Sequence, residues 1–93
     1  DLSSAIDFVI KNNISDSLLN VGSGYEISIS ELVKKIQKVI DFKGKIDFDN
    51  TKPDGNPRKL LDSSKLFNYG WKPKIELTQG IEQTYDWFIK NIN

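Results

Sequence analysis

Cysteine, histidine and methionine are all absent from the 93 residues. Without cysteine the chain has no disulfide framework, no thiolate nucleophile and no zinc-finger pattern. Without histidine it also lacks the commonest general base and the commonest metal ligand of proteins. Because the sequence has no methionine and begins at Asp1, inside a helical pattern, we expect it to be a fragment of a longer protein.

Neither sign of charge is in excess, since 13 basic and 13 acidic side chains balance to a net charge of zero. Binding to a phosphate backbone relies on excess positive charge, so we do not expect nucleic acid as a partner. No apolar run approaches the roughly 18 residues of a membrane span, so no membrane association is expected. A length of 93 residues corresponds to one domain at most, and we expect residues 1–93 to form that single domain.

Helical periodicity and capping residues predict four helices. The clearest one is predicted from Ser28 to Ile40, where Ser28 and Glu31 have the S-x-x-E spacing of a capping box and apolar residues repeat every 3.6 positions. The other three are predicted after Asp1, between Ser63 and Gly70 with either Asp62 or Ser63 as the cap, and after Thr78.

Two short segments are predicted to be β-strands. Residues 18–21 form a short apolar run before a turn, and residues 45–49 alternate charged with apolar side chains. The expected fold class is therefore α/β, with few short strands packed against about four helices and no Rossmann domain in the chain. Two short strands make a poor independent sheet, so they are expected to pack under helices or against a neighbouring domain.

The segment 52–62, Lys-Pro-Asp-Gly-Asn-Pro-Arg-Lys-Leu-Leu-Asp, is the least generic part of the sequence. Its two prolines stiffen the backbone, and Pro-Asp-Gly is turn chemistry. It carries one carboxylate, Asp54, and three cations, Lys52, Arg58 and Lys59. A carboxylate accepts hydrogen bonds from hydroxyl or N–H groups, and clustered cations suit a phosphate. The alternative is a solvated charged turn without a ligand.

Two other features have both a structural and a ligand-binding interpretation. Gly22-Ser23-Gly24 is followed by Ile27, where a dinucleotide fingerprint would have its third glycine. A turn that requires small residues is therefore favoured over a phosphate cradle. Trp71 follows the helix stop at Gly70, and a lid over the core is favoured over a platform for a base or sugar.

Taken together, these segments resemble a known enzyme family. The resemblance is carried by six groups of residues: Asp1–Ala5, Leu19–Gly24, Ser28–Leu32, the segment 52–62, Leu66–Pro73, and Gly80-Ile81 with Thr84–Phe88. They are similar to the C-terminal, substrate-binding part of the GDP-L-fucose synthases, which are extended short-chain dehydrogenase/reductases, over essentially the whole chain. The segment 52–62 is the most particular to that family, although Asn56 stands where many members have threonine.

The resemblance implies an NADP-dependent epimerase and reductase that converts GDP-4-keto-6-deoxy-D-mannose to GDP-L-fucose. NADP and the catalytic residues would belong to an N-terminal dinucleotide-binding domain that this chain does not contain. Positions 29, 73 and 89, four after the three tyrosines, are not lysine, so the Tyr-x-x-x-Lys pair of the family is absent. The chain alone is therefore expected to be inactive and to bind neither NADP nor metal. The parent enzyme is expected to be a cytoplasmic homodimer.

The family match also ranks the site residues. Asp54 and Lys59 match the positions that contact the GDP-sugar, with Asp54 accepting from ribose or guanine and Lys59 pairing with the diphosphate. Arg58 is a second, bidentate candidate and Lys52 a third. Two alternatives stay open. One is the same lobe of another sugar-nucleotide epimerase, dehydratase or reductase, and the other is a non-catalytic interaction module that uses its exposed lysines.

Overall fold

The structure is a computed structural model that describes residues 1–92. Within that range four α-helices are found: α1 (Leu2–Lys11), α2 (Ile29–Val39), α3 (Ser64–Tyr69) and α4 (Leu77–Asn91). The chain divides into two compact units. Unit 1 consists of Asp1–Glu26 and Lys59–Ile75, and unit 2 consists of Ile27–Arg58 and the segment that starts at Glu76.

Unit 1 has a small core in which α1 and α3 meet the connector that follows α3. Its buried residues are Ala5, Leu66 and Trp71. Trp71 is only 5% exposed and stacks on Phe67, with the ring centroids 6.2 Å apart. The partly buried residues around this core are Phe8, Val9, Leu19, Val21 and Phe67. The prediction that Trp71 is a core residue is therefore confirmed.

Long-range hydrogen bonds hold the parts of unit 1 together. The carboxylate of Asp1 accepts from the backbone N–H groups of Lys74 and Ile75, each at 3.1 Å. The Tyr69 hydroxyl donates to Asp16 Oδ1 at 2.5 Å. Asp1 is the N-cap of α1 as predicted, but its side chain makes no cap hydrogen bond because it is used by the distant connector.

Unit 2 is built on the packing of α2 against α4. The predicted capping box is present, because Ser28 Oγ accepts from the Glu31 N–H at 3.1 Å and the Glu31 carboxylate accepts from the Ser28 N–H at 3.4 Å. The prediction of Thr78 as the cap of α4 is wrong. The N-cap is Glu76, and the Thr78 hydroxyl lies inside the helix, where it accepts from Lys35 Nζ at 3.2 Å.

The predicted α/β fold class is wrong, since residues 1–92 contain no β-strand. Residues 18–21 lie in unit 1 and residues 45–49 in unit 2, and neither segment finds a partner strand within its own unit. A strand is defined by hydrogen bonds to a neighbouring strand. Both segments are non-helical and carry apolar side chains. A sequence pattern cannot show whether a neighbouring strand is present, and among the described residues of each unit none is.

Candidate functional site

The segment 52–62 contains no helix or strand, and the four candidate side chains on it are all exposed. Lys52, Asp54 and Arg58 belong to unit 2, whereas Lys59 begins the second part of unit 1. A turn precedes the segment, because Asp49 Oδ1 accepts from the N–H and the hydroxyl of Thr51, at 2.9 and 2.6 Å. These bonds to Thr51 lower the pKa of Asp49. The carboxylate of Asp49 is thereby committed to the local backbone.

Unit 1 contains a cleft whose lining includes Leu60 and Leu61, the two residues that follow Lys59 in the sequence. Its volume is about 340 Å³, and it is lined by Gly24, Leu60, Leu61, Asp62, Ser63, Ser64 and Phe67. We call it the unit 1 cleft. Leucine and phenylalanine side chains give it an apolar lining, while Asp62 and the two serines supply polar groups. A lining of this kind can hold an apolar ring face, and a cation beside it can hold a phosphate.

The backbone on the cleft side is fixed by hydrogen bonds at Asp62. Its carboxylate accepts from the Ser64 N–H at 3.0 Å, and the bonds from Ser64 lower the pKa of Asp62. Its carbonyl oxygen accepts from Asn20 Nδ2 at 3.3 Å. Ser63 is the N-cap of α3, yet it makes no side-chain cap bond, because the neighbouring Asp62 provides the acceptor for the first turn.

The Gly22-Ser23-Gly24 segment is a turn that requires small residues, as predicted. A Cβ at Gly22 would lie 3.3 Å from Leu61 Cβ, and one at Gly24 would lie 3.2 Å from the ring of Phe67. Gly24 also has a φ of +81°, in the region that favours glycine. Ser23 Oγ accepts from the Tyr25 N–H at 3.2 Å, which closes the turn.

Sequence reasoning missed two clusters in unit 1. The first is the Asp1 carboxylate with the amides of Lys74 and Ile75, and the second joins Asp16 to Tyr69 and Lys65. The hydrogen bond from Tyr69 lowers the pKa of Asp16 and raises that of Tyr69, and Lys65 Nζ lies 3.5 Å from Asp16 Oδ2. No local motif predicts such contacts, because the residues that form them are distant from one another in the sequence. The bond from Asn20 to Asp62 was missed for the same reason, since it spans 42 positions.

Unit 2 has a cleft of its own, of about 320 Å³, lined by Ser30, Val33, Lys34, Gln37, Ile46 and Phe48. None of the four candidate residues lines it. Within residues 1–92 no group of three acidic, histidine or cysteine residues is arranged to hold a metal ion. None of the helices described is both long and apolar enough to cross a membrane.

Comparison with known proteins gives a consistent result, although no family model matches the chain. GDP-L-fucose synthase 1 of Arabidopsis thaliana is 48% identical over 92 residues, which is 99% of this chain and 28% of the relative. GDP-L-fucose synthase of Sinorhizobium fredii is 46% identical over 92 residues, 99% of this chain and 29% of the relative. The chain thus spans less than a third of the length of these curated relatives.

A solved structure agrees with these relatives. The chain is similar to the crystal structure of a GDP-6-OMe-4-keto-L-xylo-heptose reductase from C. jejuni, with a TM-score of 0.86 and 30% identity. The match covers 99% of this chain and 29% of the reductase. The helical arrangement described above is therefore found within a larger enzyme.

Proposed function

The chain is a relative of the GDP-L-fucose synthases along nearly its whole length, and from that premise we propose that it is the C-terminal, substrate-binding domain of such an enzyme. The observation that carries the proposal is identity of 46–48% to curated synthases over 92 of the 93 residues. In this proposal residues 1–93 act as one domain that binds the GDP-sugar.

Lys59 is the first binding residue of the proposal. It is exposed and is followed in the sequence by Leu60 and Leu61, which line the unit 1 cleft. Its ammonium is proposed to bind a ligand phosphate. Asp54 is proposed to accept hydrogen bonds from the ribose or guanine, with Arg58 and Lys52 as further cations for the diphosphate. Binding energy from these non-reacting parts of the substrate would orient the sugar carbon at which the chemistry occurs.

The chemistry itself is assigned to the rest of the parent enzyme. We propose that an N-terminal dinucleotide-binding domain holds NADP and the residues that convert GDP-4-keto-6-deoxy-D-mannose to GDP-L-fucose. The cofactor is assigned there because the family resemblance implies a glycine-rich NADP loop in that domain, and Gly22-Ser23-Gly24 lacks the third glycine of such a loop at position 27. The proposal includes the homodimeric state and the cytoplasmic location that the family resemblance implies.

A second candidate is the same domain of another GDP-sugar reductase. It is favoured by the likeness to the C. jejuni protein, which is named as a reductase of a GDP-heptose derivative. The substrates of both candidate enzymes contain GDP, so they share the nucleotide and differ in the sugar. A binding test with GDP alone therefore tests the nucleotide recognition that both candidate functions require.

Calorimetric titration of the chain with GDP and with UDP tests the proposal. We expect GDP to bind, and Lys59→Ala to weaken its binding roughly tenfold, the equivalent of about 1.4 kcal/mol. Lys38→Ala is the matched control, because Lys38 is an exposed lysine in the last turn of α2. No GDP binding at millimolar concentration, or equal losses in the two variants, would refute the proposal. Equal affinity for GDP and UDP would show that the chain does not select GDP, and would contradict a GDP-sugar as its specific ligand.

A further inference from the structure

The Asn20–Gly22 segment lies directly against the residues that follow Lys59. Asn20 Nδ2 donates to the carbonyl oxygen of Asp62 at 3.3 Å, across 42 positions of sequence. Gly22 is half-buried, and the atoms nearest to a Cβ built on it all belong to Leu61 and Ser63. Two residues of one short segment therefore contact the same three-residue stretch, 61–63.

A side chain at Gly22 would be crowded by residues 61 and 63. A Cβ there would lie 3.3 Å from Leu61 Cβ and 3.4 Å from Ser63 Oγ. The first of these atoms is attached directly to the backbone, so relief of the contact is expected to shift the chain at residue 61 or residue 22 by a few tenths of an ångström. Ser63 is only 3% exposed and its Oγ has no hydrogen-bond partner among the described residues, so its hydroxyl is held by packing, while its carbonyl oxygen accepts from the Phe67 N–H at 3.0 Å.

Lys59 is two residues from this anchored stretch and belongs to the same unit. Successive Cα atoms are 3.8 Å apart, so a backbone shift at Leu61 is transmitted within roughly 7 Å of chain to Lys59. Because a misplacement of about 1 Å can cost roughly a hundredfold, a smaller shift of Lys59 is expected to cause a smaller loss of binding.

We propose that Asn20 and Gly22 are positioning residues that hold the backbone of Lys59 for its contact with the ligand diphosphate. This inference rests on the proposed function of Lys59. It assigns to the Asn-Val-Gly motif a role in binding, exerted through residues 61–63. Neither Asn20 nor Gly22 is proposed to contact the ligand.

A double-mutant cycle with GDP tests the inference in the full chain. Asn20→Ala and Gly22→Ala are each expected to weaken GDP binding by roughly threefold to tenfold, up to about 1.4 kcal/mol. In the Lys59→Ala background neither change is expected to weaken binding further, because both act through Lys59. Losses that add to that of Lys59→Ala would overturn the inference.

Asn12→Ala is the matched control for Asn20→Ala. Asn12 Nδ2 also donates to a backbone carbonyl of unit 1, that of Phe8, at 2.8 Å. We expect this variant to bind GDP as the unmodified chain does. An equal loss of affinity in Asn12→Ala would reduce the role of Asn20 to general stability and would overturn the inference.

Backbone ¹⁵N relaxation separates failure of the inference from failure of the proposed function. Asn20→Ala and Gly22→Ala are expected to lower the order parameters of Lys59, Leu60 and Leu61, whereas Asn12→Ala is not. Unchanged order parameters would overturn the anchoring itself. The unmodified chain could fail to bind GDP while the order parameters change as expected. In that case Asn20 and Gly22 anchor residues 59–61, but their role in GDP binding is refuted along with the proposed function.

Discussion

The indole of Trp71 donates a hydrogen bond from Nε1 to the hydroxyl of Ser4 at 3.0 Å, although the two residues are 67 positions apart. The bond joins the connector after α3 to the first turn of α1. Together with the stacking of Trp71 on Phe67, it closes the core of unit 1. A core with only three buried apolar residues depends heavily on each of them.

Trp71→Phe is therefore expected to lower the free energy of unfolding by about 1–3 kcal/mol, because it removes the hydrogen bond and part of the packed ring. Urea unfolding followed by circular dichroism measures the change. Trp87→Phe is the matched control, since Trp87 is 65% exposed and its replacement should cost no more than about 0.5 kcal/mol. Equal effects of the two replacements would contradict the importance given to Trp71.

The capping box of α2 gives a second prediction. Ser28→Ala is expected to destabilise α2 by about 1 kcal/mol, because the N–H of Glu31 loses its acceptor. Ser30→Ala, an exposed position inside the same helix, should leave stability unchanged or raise it slightly, since alanine is the better helix former. Chemical shifts of α2 residues, together with urea unfolding, report both. Equal stability of Ser28→Ala and Ser30→Ala would show that the capping box does not contribute to the stability of α2.

The bond between Tyr69 and Asp16 predicts a dependence of stability on pH. It lowers the pKa of Asp16 from its ordinary 3.8, so its contribution is fully present above pH 3.8 and is lost as the pH falls through the lowered value. The same bond raises the pKa of Tyr69 above 10.0, so the contribution also disappears at alkaline pH, as the pH rises through the raised value.

Tyr69→Phe removes this contribution, so the stability difference between the variant and the unmodified chain should be largest near neutral pH and shrink below pH 3.8. Thermal unfolding at a series of pH values measures it. Tyr25→Phe is the control, because the Tyr25 side chain is 86% exposed and its contacts with Ser23 use the backbone. A difference for Tyr69→Phe that grows on acidification would contradict the prediction.

Gly70 ends α3 with a φ of +110°, a backbone conformation that side chains disfavour. Gly70→Ala is expected to cost about 1–2 kcal/mol from that strain. Gly55→Ala provides the comparison, because Gly55 has no atom within 4 Å of a built Cβ and no positive φ. It should stabilise the chain slightly by restricting the unfolded state. Similar denaturation midpoints for the two variants would rule out backbone strain at Gly70.

Those elements that depend on local chemistry were predictable. The capping box at Ser28 and Glu31 and the glycine stop at Gly70 involve neighbours three to five positions apart, and the structure has both. The strands at 18–21 and 45–49 failed because a strand is completed by a distant partner that its own pattern does not name. Thr78 failed as a cap for a related reason, since its hydroxyl is used by Lys35, 43 residues away.

The candidate site was predictable in composition and only partly in geometry. The prolines and charges of the segment 52–62 singled it out, the family resemblance ranked its residues, and Leu60, Leu61 and Asp62 of that segment line the unit 1 cleft. The anchoring of Asp62 by Asn20 was not predicted, because it joins positions 42 residues apart. The roles of Asp54, Lys59, Arg58 and Lys52 in ligand binding stay predictions.

The central claim is that this chain presents Lys59 to the diphosphate of a GDP-sugar. Titration of ¹⁵N-labelled chain with GDP, followed residue by residue by NMR, tests it most directly. The account predicts saturable shift changes at Lys59 and Asp54, with the change at Leu60 reduced in Lys59→Ala. Spectra that do not change up to millimolar GDP, or changes that avoid the segment 52–62 altogether, would contradict it.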